Sequence, residues 1–219
     1  MDSRLLTCAR LCKGEVLCDI GTDHGYLPCY MIEKGLCRKA YACDIAEGPL
    51  SSAVAHIKER CLSDKIETLL SNGLDSVEKG DITDIVIAGM GGELIADIIS
   101  RCGWLDGVNL VLQPMTKPDI LRKRLYDLGF CVTNELACVS GRFVYSVMQV
   151  QKAQPDYPCT DEYLHFGFVK PDTDEGLRYL KDRANKLRTA ANGMLKGGVD
   201  TERANALLEL AKKRVNWKP

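Results

Sequence analysis

Short apolar runs alternate with helical patterns from the start of the chain to about residue 152. The first five runs are hydrophobic and separated by helical stretches, which is typical of parallel strands covered on both faces of a sheet. The last two runs have only residues 139–142 between them, so they predict an antiparallel pair. The predicted strands are 15–21, 39–45, 66–71, 84–89, 109–114, 131–138 and 143–151, and the predicted helices are 2–13, 26–34, 48–60, 91–101 and 117–128.

A terminal hairpin distinguishes this pattern from that of a plain dinucleotide-binding fold. The pattern predicts an α/β fold over residues 1–152, and it fits the Rossmann-like seven-stranded variant that many class I methyltransferase domains use. Residues 153–219 are predicted to be a linker and a small C-terminal α-helical coiled-coil hairpin, because apolar residues recur at helical spacing in 177–194 and in 204–215. Simple capping of the main domain is the alternative. The linker residues expected to pack are Tyr163, Phe166 and Phe168.

Composition and charge limit the classes of function that this chain can have. The formal net charge of −1 argues weakly against a nucleic-acid partner, but residues 174–219 hold 11 Lys/Arg against 6 Asp/Glu, a local excess of +5. The eleven cysteines form no CxxC pair and the three histidines no cluster, so no metal site is expected. Without an apolar secretory signal or a run long enough to span a membrane, the odd cysteine count predicts a cytoplasmic protein.

The first predicted strand runs into a glycine-containing turn, residues 19–25, and then into a helix. Such a turn can cradle a nucleotide, because glycines let the backbone approach a ligand and a helix N-terminus offers N–H groups. A dinucleotide-binding turn has glycine at the middle position, where Asp23 stands here. A carboxylate repels a pyrophosphate but accepts a sulfonium or an amino group. The turn therefore favours S-adenosylmethionine over NAD; an ordinary strand-to-helix turn is the alternative.

Two further strand ends carry polar residues suited to a nucleoside. Asp44-Ile45 ends the second strand, 25 residues after Asp19, where an acidic residue can accept both ribose hydroxyls. A helix cap at the strand end is the alternative for Asp44. Asn72-Gly73-Leu74 follows the third strand, where an amide or a backbone N–H can meet an adenine ring. A plain Asn-Gly turn accounts for the third segment equally well.

The fourth strand ends in Ala88-Gly89-Met90 followed by Gly91-Gly92. Enzymes that methylate exocyclic amines of bases usually have Asp or Asn followed by Pro-Pro and an aromatic residue here, and this chain has none of them. Three glycines give space and backbone contacts instead, which favours a ring nitrogen as the target atom. Close packing of a helix against the strand is the alternative. Gln113, at the end of the fifth strand, is expected either to bind a base edge or to cap the sheet.

Together, the segments 19–28, 72–74, 87–92 and 112–114 resemble the bacterial tRNA (adenine-22-N1)-methyltransferase family, over residues 1 to about 150. The resemblance implies S-adenosyl-L-methionine as cofactor, tRNA as substrate, and N1 of adenine 22 as the methylated atom. Met115 departs from the polar residue expected in that family. An NAD-dependent oxidoreductase and a non-catalytic RNA-binding protein of the same fold are the competing hypotheses.

The resemblance also implies the site. The cofactor-binding residues it implies are Asp19, Gly21, Thr22, Asp23, Gly25, Asp44, Ile45, Asn72, Gly73, Leu74, Ala88, Gly89 and Met90. It implies that Asp23, His24 and Tyr26 face the reacting centre as catalytic residues, although His24 could merely cap the helix and Tyr26 could merely pack. The candidate contacts to the tRNA backbone are Lys181, Lys186, Arg188, Lys212, Lys213 and Arg214, helped by Arg4, Arg10 and Lys13. A solvated charged face is the alternative, and the oligomeric state is left open.

Overall fold

The computed structural model describes the backbone of residues 1–215 and the side chains of residues 1–213. The strands are β1 (Val16–Ile20), β2 (Lys39–Asp44), β3 (Ile66–Leu70), β4 (Asp84–Gly91), β5 (Asn109–Thr116), β6 (Phe130–Ser140) and β7 (Phe143–Lys152). The helices are α1 (Ser3–Leu11), α2 (Tyr26–Glu33), α3 (Glu47–Glu59), α4 (Gly92–Arg101), α5 (Pro118–Asp127), α6 (Asp161–Phe166), α7 (Asp174–Lys196) and α8 (Thr201–Val215).

All seven strands join one sheet in the order β3-β2-β1-β4-β5-β7-β6. The first five strands run parallel, and β7 is antiparallel to both β5 and β6. The predicted α/β seven-stranded class is therefore confirmed. Successive strands move outward in opposite directions from β1 and from β4, so the chain reverses its order between these two neighbours. In such sheets, ligands bind in the crevice beyond the carboxyl ends of the strands at this switch point.

Both faces of the sheet are covered, which explains why β1 is buried along its whole length and apolar except for Asp19 near its carboxyl end. Cys18 and Ile20 pack on the face covered by α4 and α5, whereas Leu17 packs on the face covered by α1, α2 and α3. Cys18 and Cys43 are 0% exposed, as expected for small core residues. None of the helices formed by residues 1–215 combines the length and the hydropathy that crossing a bilayer demands.

The segment predicted as a linker contains helix α6, which the sequence analysis did not predict. The hydroxyl of Thr160 caps the helix by accepting a hydrogen bond of 3.2 Å from the Tyr163 amide, and Gly167 ends it with φ +63°. Tyr163 and Phe166 are buried as expected, whereas Phe168 is 39% exposed. A helix of six residues between prolines is too short to show a 3.6-residue period, so its pattern was not visible.

The two C-terminal helices pack against each other, and α7 also packs against the sheet. Leu187 and Ala191 of α7 share one apolar cluster with Ala204 of α8, and Val144 of β7 belongs to the same cluster. The predicted helix–turn–helix is present, and it also caps the main domain, which was the alternative. Coiled-coil geometry and a domain boundary after residue 152 stay predictions. The side chains of Arg214 and Val215 lie outside the described residues.

A buried network of polar side chains connects helix α7 to the main domain. Arg122 Nη2 lies 2.5 Å from Glu135 Oε1 and donates to the Tyr179 hydroxyl at 2.8 Å, and both charged side chains are fully buried. The Ser146 hydroxyl lies 3.2 Å from that of Tyr179. Burial alone would lower the pKa of Arg122, but the neighbouring Glu135 and Tyr179 raise it above its ordinary value. The network joins α5, β6, β7 and α7, so buried polar contacts hold helix α7 against the main domain.

Candidate active site

A cavity of about 610 Å³ opens at the carboxyl ends of β1 and β4, at the switch point of the sheet. Its walls come from the first turn, the end of β4 and helix α1. The lining residues are Met1, Asp2, Arg4, Leu5, Asp19, Gly21, Thr22, Asp23, Tyr26, Leu27, Ala88, Gly89 and Met115. Seven of the residues predicted for the site therefore line one cavity: Asp19, Gly21, Thr22, Asp23, Tyr26, Ala88 and Gly89.

Backbone conformation explains the glycine at the start of the first turn. Gly21 has φ +76°, and a Cβ added there would lie 2.4 Å from Cε of Met90. The amides of Gly21 and Thr22 donate to the Cys43 carbonyl at 2.8 and 3.0 Å. These two amides therefore hold the turn against β2, rather than facing a ligand. Met90 supports the turn from the core side instead of lining the cavity.

Asp23 occupies the middle of the turn with φ +52°, the left-handed conformation that a glycine would adopt there. Aspartate is one of the few non-glycine residues that this region tolerates. Its side chain is 68% exposed, and its amide lies 3.4 Å from Oδ2 of Asp44. The turn thus keeps the backbone of a nucleotide-binding loop and places a carboxylate at the cavity.

Asp19 is the buried charge of the site. The residue is 4% exposed, and its Oδ2 accepts a hydrogen bond of 2.7 Å from the Thr22 hydroxyl. Burial raises the pKa of Asp19 to about 7, although the bond from Thr22 lowers it, and the nearby Asp44 raises it further. Among residues 1–213 no cation pairs with it. A buried carboxylate that faces a cavity without a cation fits a positively charged ligand.

The ends of β2 and β3 lie beside the cavity rather than in its wall. Asp44 is held by the Ala46 amide, which donates to Oδ1 at 2.9 Å, and the next residue, Ile45, is 67% exposed. Asn72 donates to a neighbouring carboxylate of the same turn at 3.1 Å, and Leu74 is buried in the core. The third segment therefore has the contacts of a local turn, and its role toward a cofactor stays a prediction.

The glycines after β4 have different surroundings. Gly89 has φ +83° and lines the cavity, with Arg4 Nη1 3.7 Å from an added Cβ. Gly92 begins α4, and an added Cβ would lie 2.4 Å from the Lys117 carbonyl oxygen. Both interpretations made from the sequence thus apply, each to a different glycine: Gly89 gives space at the cavity, and Gly92 allows close helix packing.

Helix α1 forms a wall of the cavity that none of the sequence motifs indicates. Arg4 is held by Asp2 at 2.6 Å, and its Nη1 donates to Gln113 Oε1 at 3.1 Å and to Met115 Sδ at 3.3 Å. Gln113 is fully buried, and its Oε1 also accepts from the Gly89 amide at 3.1 Å. Gln113 therefore caps the sheet and braces α1, which was one of the two roles considered for it.

Three rings meet behind the first turn. Tyr26 is 47% exposed, and its ring centroid lies 5.3 Å from that of His24 and 5.1 Å from that of His56. His56 Nδ1 lies 2.8 Å from the His24 carbonyl oxygen, so this nitrogen is the donor. His24 does not cap α2, because the cap residue is Gly25 and makes no side-chain hydrogen bond. His56 was missed because it lies one helix later and is not part of a recognisable motif.

The seven-stranded sheet with an antiparallel β7, and the cavity at its switch point, define a class I methyltransferase fold. A family model described as a methyltransferase domain matches residues 1–148. No group of three or more His, Cys, Asp or Glu side chains is placed to hold a metal ion in the part of the chain that the structure describes.

The chain is also similar to particular tRNA-modifying enzymes. The tRNA (adenine(22)-N(1))-methyltransferase of Bacillus subtilis is 32% identical over 159 residues, which are 71% of this chain and 67% of that protein. A Streptococcus pneumoniae structure described as a proposed tRNA adenine-22 methyltransferase with bound S-adenosyl-L-methionine is 31% identical, with a TM-score of 0.85 over 99% of this chain and 100% of that one. The chain belongs to the tRNA (adenine(22)-N(1))-methyltransferase family.

Proposed function

We propose that this protein transfers a methyl group from S-adenosyl-L-methionine to N1 of adenine 22 in tRNA. The observation that carries the proposal is the buried Asp19 carboxylate, which faces the cavity with no cationic partner among residues 1–213. An anionic pyrophosphate would be repelled by Asp19 and by Asp23 beside it. This charge distribution disfavours the dinucleotide alternative.

The residues around the cavity suit a cationic nucleoside cofactor. S-adenosyl-L-methionine supplies an electrophilic methyl group on a positively charged sulfur. Asp19 would bind the ammonium group, and the ordered carboxylate of Asp44 would accept the ribose hydroxyls. The exposed Ile45 would give the adenine ring an apolar surface. Residues of α1 would close the cavity against water.

Methylation of the target atom depends on the orientation of the adenine more than on a general base. Adenine N1 carries an in-plane lone pair when the ring is neutral, so no proton has to be removed before attack, and orientation supplies most of the rate. Because N1 lies on the Watson–Crick edge, the base must be unpaired or extruded. The half-exposed ring of Tyr26 would stack on that base, and Asp23 would accept a hydrogen bond from the adenine amino group. His24, packed against Tyr26, would orient its ring.

The C-terminal helices would contact the tRNA backbone. Lys181 and Lys213 are exposed and form no ion pair with the described residues, whereas Lys186 and Lys212 are paired with Asp182 and Glu209. Neutralising Lys181 and Lys213 together is a cleaner test than deletion, because deleting α7 would expose the buried Arg122 network. A cytoplasmic location belongs to the same proposal.

The proposal is tested by supplying both cofactors and then the substrate. The purified protein is titrated with S-adenosyl-L-methionine and with NAD, and then incubated with unmodified tRNA and a labelled methyl donor. A matched transcript carries guanine at position 22. Binding of the methyl donor and labelling that requires adenine 22 are expected. Binding of NAD alone, or equal labelling of both transcripts, would overturn the proposal.

A further inference from the structure

The tip of the β6–β7 hairpin carries an exposed phenylalanine flanked by arginines. Phe143 is 52% exposed, and the Arg142 guanidinium carbon lies 4.9 Å from its ring centroid. Arg178 of α7 reaches the same tip and donates to the Arg142 carbonyl at 3.4 Å. Within residues 1–213, neither guanidinium has an acidic partner, although most other arginines of the chain do. The tip therefore combines an apolar ring with uncompensated positive charge.

This tip is continuous with the cavity. Phe143 and Tyr145 lie on the same side of β7, with ring centroids 6.3 Å apart. The Arg4 guanidinium carbon lies 6.0 Å from the Tyr145 ring centroid, and Arg4 itself lines the cavity. We call these side chains the hairpin strip; its members are Arg178, Arg142, Phe143, Tyr145 and Arg4. Arg178 reaches the tip from α7, which packs on the opposite face of β7. The strip leads from the mouth of the cavity to the first turns of α7.

The chemistry of the strip is that of an unpaired nucleotide site. Proteins bind single-stranded nucleic acid by stacking bases on aromatic rings and by placing arginines against phosphates. Extruding the target base also unstacks its neighbours, which then need new partners. A second copy of the chain is a poorer occupant, because one exposed ring between two cations is far from the roughly 1,000 Å² that a stable interface buries.

We propose that the hairpin strip binds an unpaired nucleotide adjacent to the target adenine, with its base on Phe143 and its phosphate between Arg142 and Arg178. This inference rests on the proposed function. It adds a substrate requirement: the nucleotide beside the methylated adenine must be free to unstack. It also gives the contact between α7 and the hairpin tip a role in substrate binding.

The experiment compares Phe143→Ala with Phe143→Trp and with a control, Leu36→Ala, whose side chain is 48% exposed elsewhere on the surface. The Kd for unmodified tRNA, the tRNA KM and the Kd for S-adenosyl-L-methionine are measured for each variant. Loss of one stacked base should weaken tRNA binding on the order of tenfold in Phe143→Ala. The Trp variant and the control should bind tRNA as the wild type does, and cofactor binding should be unchanged throughout.

The arginines are tested by salt dependence. Arg142→Gln and Arg178→Gln should each reduce the slope of log K for tRNA against log salt by about 0.7 per lost phosphate contact. Unchanged tRNA affinity in Phe143→Ala, while the wild type methylates tRNA, would overturn this inference alone. Self-association of the wild type that Phe143→Ala abolishes would also overturn it and assign the strip to a second copy. A wild type that binds the cofactor but methylates no tRNA would overturn the proposed function instead.

Discussion

Arg4 donates a hydrogen bond of 3.1 Å to Oε1 of Gln113, an oxygen that also accepts from the Gly89 amide at 3.1 Å. One buried amide thus joins helix α1 to the ends of β4 and β5. Because Arg4 and Gly89 both line the cavity, this link fixes the wall that α1 contributes to the cofactor site. Two predictions about the cavity depend on such buried polar groups.

Gln113→Leu should weaken cofactor binding as well as stability. The change leaves the Gly89 amide and Arg4 without their acceptor, which costs about 1–3 kcal/mol. Gln149→Leu is a matched control, because Gln149 also braces α1, by donating to the Leu11 carbonyl at 2.8 Å, at the end of the helix away from the cavity. Urea unfolding should show comparable losses for both variants. Calorimetry should show weaker S-adenosyl-L-methionine binding for Gln113→Leu alone. Equal weakening in both variants would show that the link through Gln113 does not fix the wall of the cofactor site.

Asp19→Asn should stabilise the cofactor-free protein at alkaline pH. The pKa of Asp19 is raised from 3.8 to about 7 in the folded protein, so its contribution to stability is present at low pH and is lost as the pH rises through about 7. Asparagine stays neutral and keeps an acceptor for Thr22. The variant should therefore be more stable than the wild type at pH 8, by on the order of 2–4 kcal/mol, with a smaller difference at pH 5.

Thermal melts across this pH range, with and without S-adenosyl-L-methionine, provide the measurement. The cofactor should raise the Tm of the wild type and leave that of Asp19→Asn nearly unchanged. Asp64→Asn, which alters an exposed carboxylate, serves as the control and should behave as the wild type does. Parallel pH profiles for the wild type and Asp19→Asn would rule out the buried-charge explanation.

Asp23→Asn and Asp23→Ala separate the charge of this residue from its backbone conformation. Asparagine tolerates φ +52°, whereas alanine in the left-handed region costs about 1–2 kcal/mol. Both variants should lose about a hundredfold in kcat at saturating cofactor, because the oriented carboxylate is gone. Only the Ala variant should also melt earlier, and tRNA affinity should fall far less than turnover in both. Turnover equal to that of the wild type in Asp23→Asn would remove Asp23 from the catalytic residues.

Most of the fold was predictable, because its apolar runs are bounded by glycines and separated by long helical patterns. Strands β1 to β7 differ from their predicted ranges by three residues or fewer at each end. The exception, α6, depends on a local cap at Thr160 and on the burial of Phe166 by distant elements. Neither contact produces a periodic pattern of apolar residues in the sequence.

The candidate site was predictable in part. The first turn could be interpreted residue by residue, because Asp23 replaces a glycine at a position with known chemistry. The wall formed by α1 could not be predicted, because Arg4 and Gln113 form a hydrogen bond but lie 109 residues apart in the sequence. The same holds for His56, which lies 32 residues from the carbonyl that it binds. Local patterns identify groups that bind a ligand, whereas the groups that brace them come from the tertiary fold.

Glu135→Gln should destabilise the protein strongly. The substitution leaves Arg122 buried without a counter-charge, and breaking such a pair costs about 3–5 kcal/mol. The double variant Arg122→Met with Glu135→Leu removes both charges at similar volume and should recover part of that loss, because the Phe168 amide and the Leu164 carbonyl still lose their partners. Urea denaturation distinguishes the two outcomes. A loss below about 1 kcal/mol in the single variant, the range of an exposed pair, would show that the buried pair of Arg122 and Glu135 does not stabilise the fold.

The proposed function requires that the methyl group be placed on the ring nitrogen N1 of one adenine. Unmodified tRNA is methylated by the wild type with S-adenosyl-L-methionine, digested to nucleosides and separated by chromatography with mass detection, and the position is mapped by the stop of reverse transcription. We expect 1-methyladenosine as the product, with a stop at position 22. N6-methyladenosine, or a methylated base other than adenine 22, would contradict it.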